Sequence, residues 1–230
     1  MSGQKGLHDK HRERMREKYV KGGLENLPDH EVLEMLLYKC KKRGNTNDTA
    51  HLLLNRFGSF SGVLDADYDE LMSVDGVGAV SATFITMIPK ILRRYALDKE
   101  KHTGTVYNTE EKIGDYLVNH FIGATREHVE LLMFDASMRM VDHVTLHNGA
   151  VNSSDINAEK VAEYVFSRKV SSFILAHNHP GGSTEPSDED IFITLKIRSA
   201  FEELGREMLE HYVVAEGKYR GILAAQKELY

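Results

Sequence analysis

The sequence predicts an α+β protein in two parts: an all-helical region over residues 1–98 and a layered domain over residues 105–230. Three observations carry this. In the first part, apolar residues recur at helical spacing between short glycine or polar breaks. The stretch Asp98-Lys99-Glu100-Lys101-His102-Thr103-Gly104 is polar, lacks apolar anchors and reads as a linker. Beyond it, strand-length apolar runs alternate with longer helical patterns.

Residues 1–8 are expected to be disordered. A charged helix over His11–Val20 stops at Gly22-Gly23. Asp29 is placed as the cap of a helix carrying Leu33, Leu36 and Leu37, and Asn45 to Asp48 as a polar break. Ala50–Arg56 forms a helix closed by Gly58, Ser61–Leu64 a short one, and Asp67 caps another through Met72. The longest helix, Ala79–Tyr95, is expected to bury Ala82, Ile85, Ile88, Ile91 and Leu92. In the second part a helix over Thr109–His120 precedes strands at His128–Met133 and Met140–Leu146, joined by a turn at Ala136–Arg139. Asn157 caps a helix through Phe166, and Ser172–Ala176 is a buried strand. Ser187–Leu204 is a helix closed by Gly205, and Met208–Val214 with Tyr219–Leu223 form a final hairpin around Glu216-Gly217.

Hydrophobic content of 41% and charged content of 28% fit a soluble globular protein. No apolar run reaches transmembrane length, and the N-terminus lacks the apolar core of a signal peptide. The lone Cys40 cannot form an internal disulfide; together these features lead us to expect a cytoplasmic protein with no membrane partner. The net charge of −6 is uneven: residues 1–98 carry 15 Lys/Arg against 14 Asp/Glu, and the remainder 14 against 21. Basic clusters at Lys10–Lys21, Lys39–Arg43 and Lys90–Arg94 make the helical part the expected side for any nucleic acid.

The chemistry concentrates in HNHPGGSTEPSDED, residues 177–190. His177 and His179 lie two apart at the end of a strand, so both imidazoles point to one side. Pro180 stops the strand and Gly181-Gly182 turns the chain. Ser187 starts a helix that carries Asp190 in its first turn. Two imidazoles and one carboxylate are three ligands with a fourth position free for water, the set expected of catalytic zinc. The same Ser-x-x-Asp spacing is also a helix-capping pattern. Such a water needs a base, and proximity does not choose among Glu185, Asp188 and Glu189.

This string matches the JAMM motif, H-x-H-P…S-x-x-D, of JAB/MPN-type metalloproteases, and its longer form is similar to the RadC family. Arg126-Glu127-His128, Leu131–Asp135 and Gly149 follow the same order, and the resemblance runs from about Arg12 to about Ile222. It implies a central mixed sheet flanked by helices, and a zinc hydrolase acting on a peptide or isopeptide amide. It also selects Glu127 as the base, with Glu130 the alternative, and gives Ser187 the role of donor to the oxyanion. RadC proteins usually carry Ser-Gly where this chain has Gly181-Gly182, which bears on the rigidity of the turn. His128 and His211 are matched too and are read as supporting residues, whereas His143 and His147 have no spacing partner and are read as non-ligands.

Asp75-Gly76-Val77-Gly78 resembles a helix-hairpin-helix turn that holds DNA backbone without sequence preference, although Ala79 to Ala82 offer no Lys or Arg. The RadC resemblance also implies an association with DNA repair, and two other functions fit the sequence: a zinc-dependent nuclease, and a non-enzymatic DNA-binding or recombination accessory protein.

Overall fold

Residues 7–41, 45–101, 104–148, 158–168 and 170–227 are described by a computed structural model. The chain divides into two units, Met1–Ile91 and Leu92–Tyr230.

The first unit is helical: α1 (Leu7–Gly22), α2 (Asp29–Cys40), α3 (Asn47–Phe57), α4 (Phe60–Asp65), α5 (Tyr68–Met72) and the start of α6 (Ala79–Lys101). Leu33 and Leu37 of α2 meet Ala50 and Leu53 of α3, Val63, Leu71, Ala82 and Ile85 in one core. That packing is what holds helices as short as α4 and α5, which would not persist alone. Glu34 is buried in this unit, where Asn47 Nδ2 donates to it at 3.2 Å and His11 Nε2 lies at 3.1 Å. Gly76 has φ +80°, and a Cβ there would meet Thr49 Oγ1 at 2.5 Å, so the tight turn before α6 requires glycine.

Several boundaries differ from the sequence expectation. Leu7 and His8 are helical, and residues 1–6 lie outside the described residues. Asp29 is the first helical residue, Pro28 taking the cap position. Asn47 and Asp48 form the first turn of α3, where a carboxylate suits the helix dipole. The stretch read as a linker continues α6 to Lys101, because Asp, Lys and Glu are all tolerated on a solvated helix. Ile91 and Leu92 are about half exposed rather than buried. Gly149 and the Asn157 cap fall outside the described residues.

The second unit is built on a five-stranded sheet of β1 (His128–Phe134), β2 (Met140–Asn148), β3 (Ser172–Asn178), β4 (Glu207–Ala215) and β5 (Lys218–Gly221). The order is β2-β1-β3-β4-β5; only β3 and β4 are parallel, so the sheet is mixed. α7 (Glu110–His120) packs on one face, against Leu132, Phe134, Ile174 and Ala176. α8 (Ala158–Ser167) and α9 (Asp188–Glu203) cover the other, against Val129, Leu131, Phe173 and Leu175. Alternate residues of β1 and β3 thus enter opposite cores, which is why both strands are apolar on both faces, Glu130 excepted. The final hairpin is shorter than expected: after Gly221 the chain turns into α10 (Ile222–Lys227), which buries Ile222 and Leu223.

Candidate metal centre

His177 lies near the end of β3, and His179 follows directly beyond it. Their parity is that of Phe173 and Leu175, so they emerge on the α9 side. Gly181, at φ +65°, turns the chain back in a conformation glycine adopts without strain. Ser187 caps α9: its Oγ accepts from Asp190 N–H at 3.1 Å, while Asp190 Oδ2 accepts from Ser187 N–H at 2.8 Å. This capping box fixes Asp190 in the first turn. The helix-cap and ligand readings of Ser-x-x-Asp are therefore one arrangement.

The three side chains meet. His177 Nε2 is 3.0 Å from His179 Nε2 and 3.5 Å from Asp190 Oδ1, and His179 Nε2 is 3.9 Å from Asp190 Oδ2. His177 is buried and the other two are partly exposed, so the site opens to solvent on one side.

Hydrogen bonds behind the site assign the tautomers. Thr194 Oγ1 donates to Asp190 C=O at 2.6 Å and so accepts from His211 Nδ1–H, also at 2.6 Å. Burial first, then the neighbouring histidines, hold the His211 pKa far below the usual imidazole value, so its ring is neutral. Its Nε2 then accepts from His177 Nδ1–H at 2.9 Å. His179 Nδ1–H donates to Ser183 C=O at 2.9 Å. Both Nε2 atoms are thereby left with lone pairs, facing each other and a carboxylate. Three electron-rich groups packed this closely repel one another unless a cation sits among them. Burial tends to raise the Asp190 pKa, whereas the Ser187 hydroxyl and backbone N–H, which both donate to the carboxyl, act in the opposite direction and favour its ionised form. The donor set is that of a metal ion with protein ligands on one side and an open position on the other.

Glu127 precedes β1 and is partly buried. Val129 pairs with His177, and Asn178 fastens the segment further: its Oδ1 accepts from His128 N–H at 2.8 Å and its Nδ2 donates to Arg126 C=O at 2.9 Å. Residue 127 shares strand parity with Val129, the face of His177. Glu130 has the opposite parity, is buried on the α7 side, and accepts from Thr145 there. It cannot serve this centre as a base. Glu185 is paired with Arg220. The Ser187 hydroxyl donates to Asp190 Oδ2 at 2.6 Å, so its proton is engaged by that carboxylate rather than aimed outward.

One support was not evident from sequence. Thr194 lies one helical turn after Asp190, a spacing that places it on the same side of α9. Asn178 faces away from the histidines, yet it holds the backbone that bears Glu127. His211, read from the sequence as a supporting residue, hydrogen-bonds the His177 ring.

The comparisons agree with this architecture. The RadC-like JAB domain matches residues 107–228, and the UPF0758 N-terminal family matches residues 8–83. A UPF0758 protein of Alteromonas mediterranea is 34% identical over 204 residues, covering 89% of this chain and 90% of its own. A UPF0758 protein of Coprothermobacter proteolyticus is 29% identical over 221 residues, covering 94% and 93%. UPF0758 protein YsxA of Bacillus subtilis is 31% identical over 209 residues, covering 90% of each chain. Mixed sheet, strand-end histidines and capped aspartate lie within the matched region, and the chain belongs to the RadC-like JAB domain family with a UPF0758 N-terminal region.

Proposed function

We propose that this chain is a zinc-dependent hydrolase of peptide or isopeptide amides, working in the cytoplasm, with His177, His179 and Asp190 as the metal ligands. The observation that carries the reading is the convergence of two Nε2 lone pairs on the Asp190 carboxylate. Zinc held there supplies Lewis acidity and lowers the pKa of its water to about 7.

The protein's own groups do the rest. Glu127 takes the proton from the attacking water and returns it to the leaving nitrogen, a shuttle suited to a carboxylate that is not itself a ligand. The Asn178 side chain, bonded to the backbone on both sides of Glu127, fixes the segment that carries that carboxylate. Ser187 has two duties. It caps α9 and orients Asp190, and it turns its proton from Asp190 Oδ2 to the oxyanion as that charge develops. His211 and Thr194 hold the His177 ring in the ligating tautomer.

The amide reading is favoured over a nuclease by the charges around the mouth. Asp188 and Glu189 flank Asp190 in the first turn of α9 and repel a phosphate backbone. A DNA-binding role for the helical unit has separate support. Lys41 Nζ lies 3.1 Å from the position a Cβ would take on Gly76, so the glycine turn has a cation beside it although none follows it in sequence. This also keeps open a recombination or repair accessory role for the whole protein.

The test is hydrolysis of peptide, isopeptide and DNA substrates by the full chain and by Glu127→Gln, with zinc content measured in both. Amide cleavage is expected in the zinc-loaded wild type, with a loss of at least about 100-fold in Glu127→Gln at unchanged zinc content. Cleavage of DNA alone would overturn the reading in favour of a nuclease. Salt-sensitive DNA binding with no hydrolysis would favour the accessory role.

A further inference from the structure

A second cluster lies on the opposite face of the sheet, within the same unit. His120 ends α7, Glu130 lies in the middle of β1, and His143 comes from β2. The β1–β2 register pairs Glu130 with Thr145 and Leu132 with His143, so Glu130 and His143 are diagonal neighbours on one face. α7 lays its last residue over them. His143 Nε2 is 2.9 Å from Glu130 Oε2, and His120 Nε2 is 3.3 Å from Glu130 Oε1. One atom from each residue falls within 4.8 Å of the others. Glu130 is 2% exposed and His120 7%. The three line a cavity of about 680 Å³.

We propose that His120, Glu130 and His143 form a second site for a first-row divalent transition metal, with its remaining positions open to the cavity. Two imidazoles and a carboxylate suit zinc and its neighbours in that series. Each of the two strand ligands is backed by a hydroxyl. Tyr116 Oη lies 2.6 Å from His143 Nδ1, and accepting from Nδ1–H there leaves the Nε2 lone pair facing Glu130. Thr145 Oγ1 donates to the Glu130 carboxylate at 3.0 Å.

Arg93 is the opposing group. Its Nη2 lies 2.9 Å from Nε2 and 3.3 Å from Nδ1 of His120. A donor that close to both nitrogens is aligned with neither in-plane lone pair, so Nε2 stays available toward Glu130. The guanidinium charge still repels a cation, and this site is therefore the weaker of the two.

The site is tested on the full chain, independently of the first centre. Demetallated protein is titrated with Co2+, read by visible absorption, and with Zn2+, in the wild type and in His177→Ala/His179→Ala. We expect two equivalents in the wild type and one in the double variant. Adding Glu130→Gln, nearly isosteric and checked for folding by circular dichroism, should weaken the remaining equivalent at least tenfold; His143→Ala should abolish it. Failure of the wild type loaded with two equivalents to hydrolyse any amide would count against the proposed function alone. A wild type that saturates at one equivalent, or a remaining equivalent indifferent to Glu130→Gln and His143→Ala, would overturn the second site and make the cluster a hydrogen-bonded carboxylate only.

Discussion

His211 shows how one residue can set the chemistry of another. It touches neither the open edge of the site nor any substrate, yet its neutral ring, protonated at Nδ1 by the demand of Thr194, presents a lone pair to His177 Nδ1–H. Without that acceptor, His177 loses its orientation and its preferred tautomer. His211→Phe should lower zinc affinity by about 10–100-fold in a chelator competition, and His211→Gln, whose amide oxygen can still accept, should recover part of it. Glu34 makes a comparable point in the helical unit. Burial works to raise its pKa, but hydrogen bonds from His11 and Asn47 outweigh it, so the folded value lies below the usual one. Its contribution is therefore present in full above the ordinary glutamate range and is lost as pH falls through the lowered folded value. Thermal melts at stepwise lower pH should show wild type losing stability that Glu34→Gln does not lose.

The helices and strands place the centre through a few close fits. α7 crosses β5 where Gly114 meets the Tyr219 ring, and a Cβ on Gly114 would fall 2.0 Å from that ring. Gly114→Ala should destabilise the second unit by about 1–3 kcal/mol, read from a denaturant midpoint with an unchanged slope. Much of this level was legible in advance. The runs at His128–Met133 and Ser172–Ala176 are buried on both faces and read clearly as strands. Ser187-x-x-Asp190 located the start of α9, and the same capping geometry fixes the proposed ligand Asp190. The end of α6 and the fate of Ile222 were not legible. Polar residues sit well on a solvated helix, and an apolar pair after a glycine fits a strand or a helix start equally. The cluster around His143 was not legible for a different reason. Its partners come from α7 and β1, and sequence spacing carries no trace of a contact made across a sheet.

At the scale of the molecule, one sheet carries two clusters of the same composition on opposite faces. Strand parity is the cause: His177 follows Phe173 and Leu175 toward α9, whereas Glu130 follows Leu132 and Phe134 toward α7. Sequence could name the first cluster because it is compressed into residues 177–190, and it could not name the second, which spans residues 120–143 without a motif. The measurement that bears most directly on the first centre is anomalous diffraction at the zinc edge from crystals of the zinc-loaded full chain. We expect a peak about 2.0–2.2 Å from His177 Nε2, His179 Nε2 and an Asp190 carboxylate oxygen together. A fully loaded crystal with no peak between those three side chains would contradict the account.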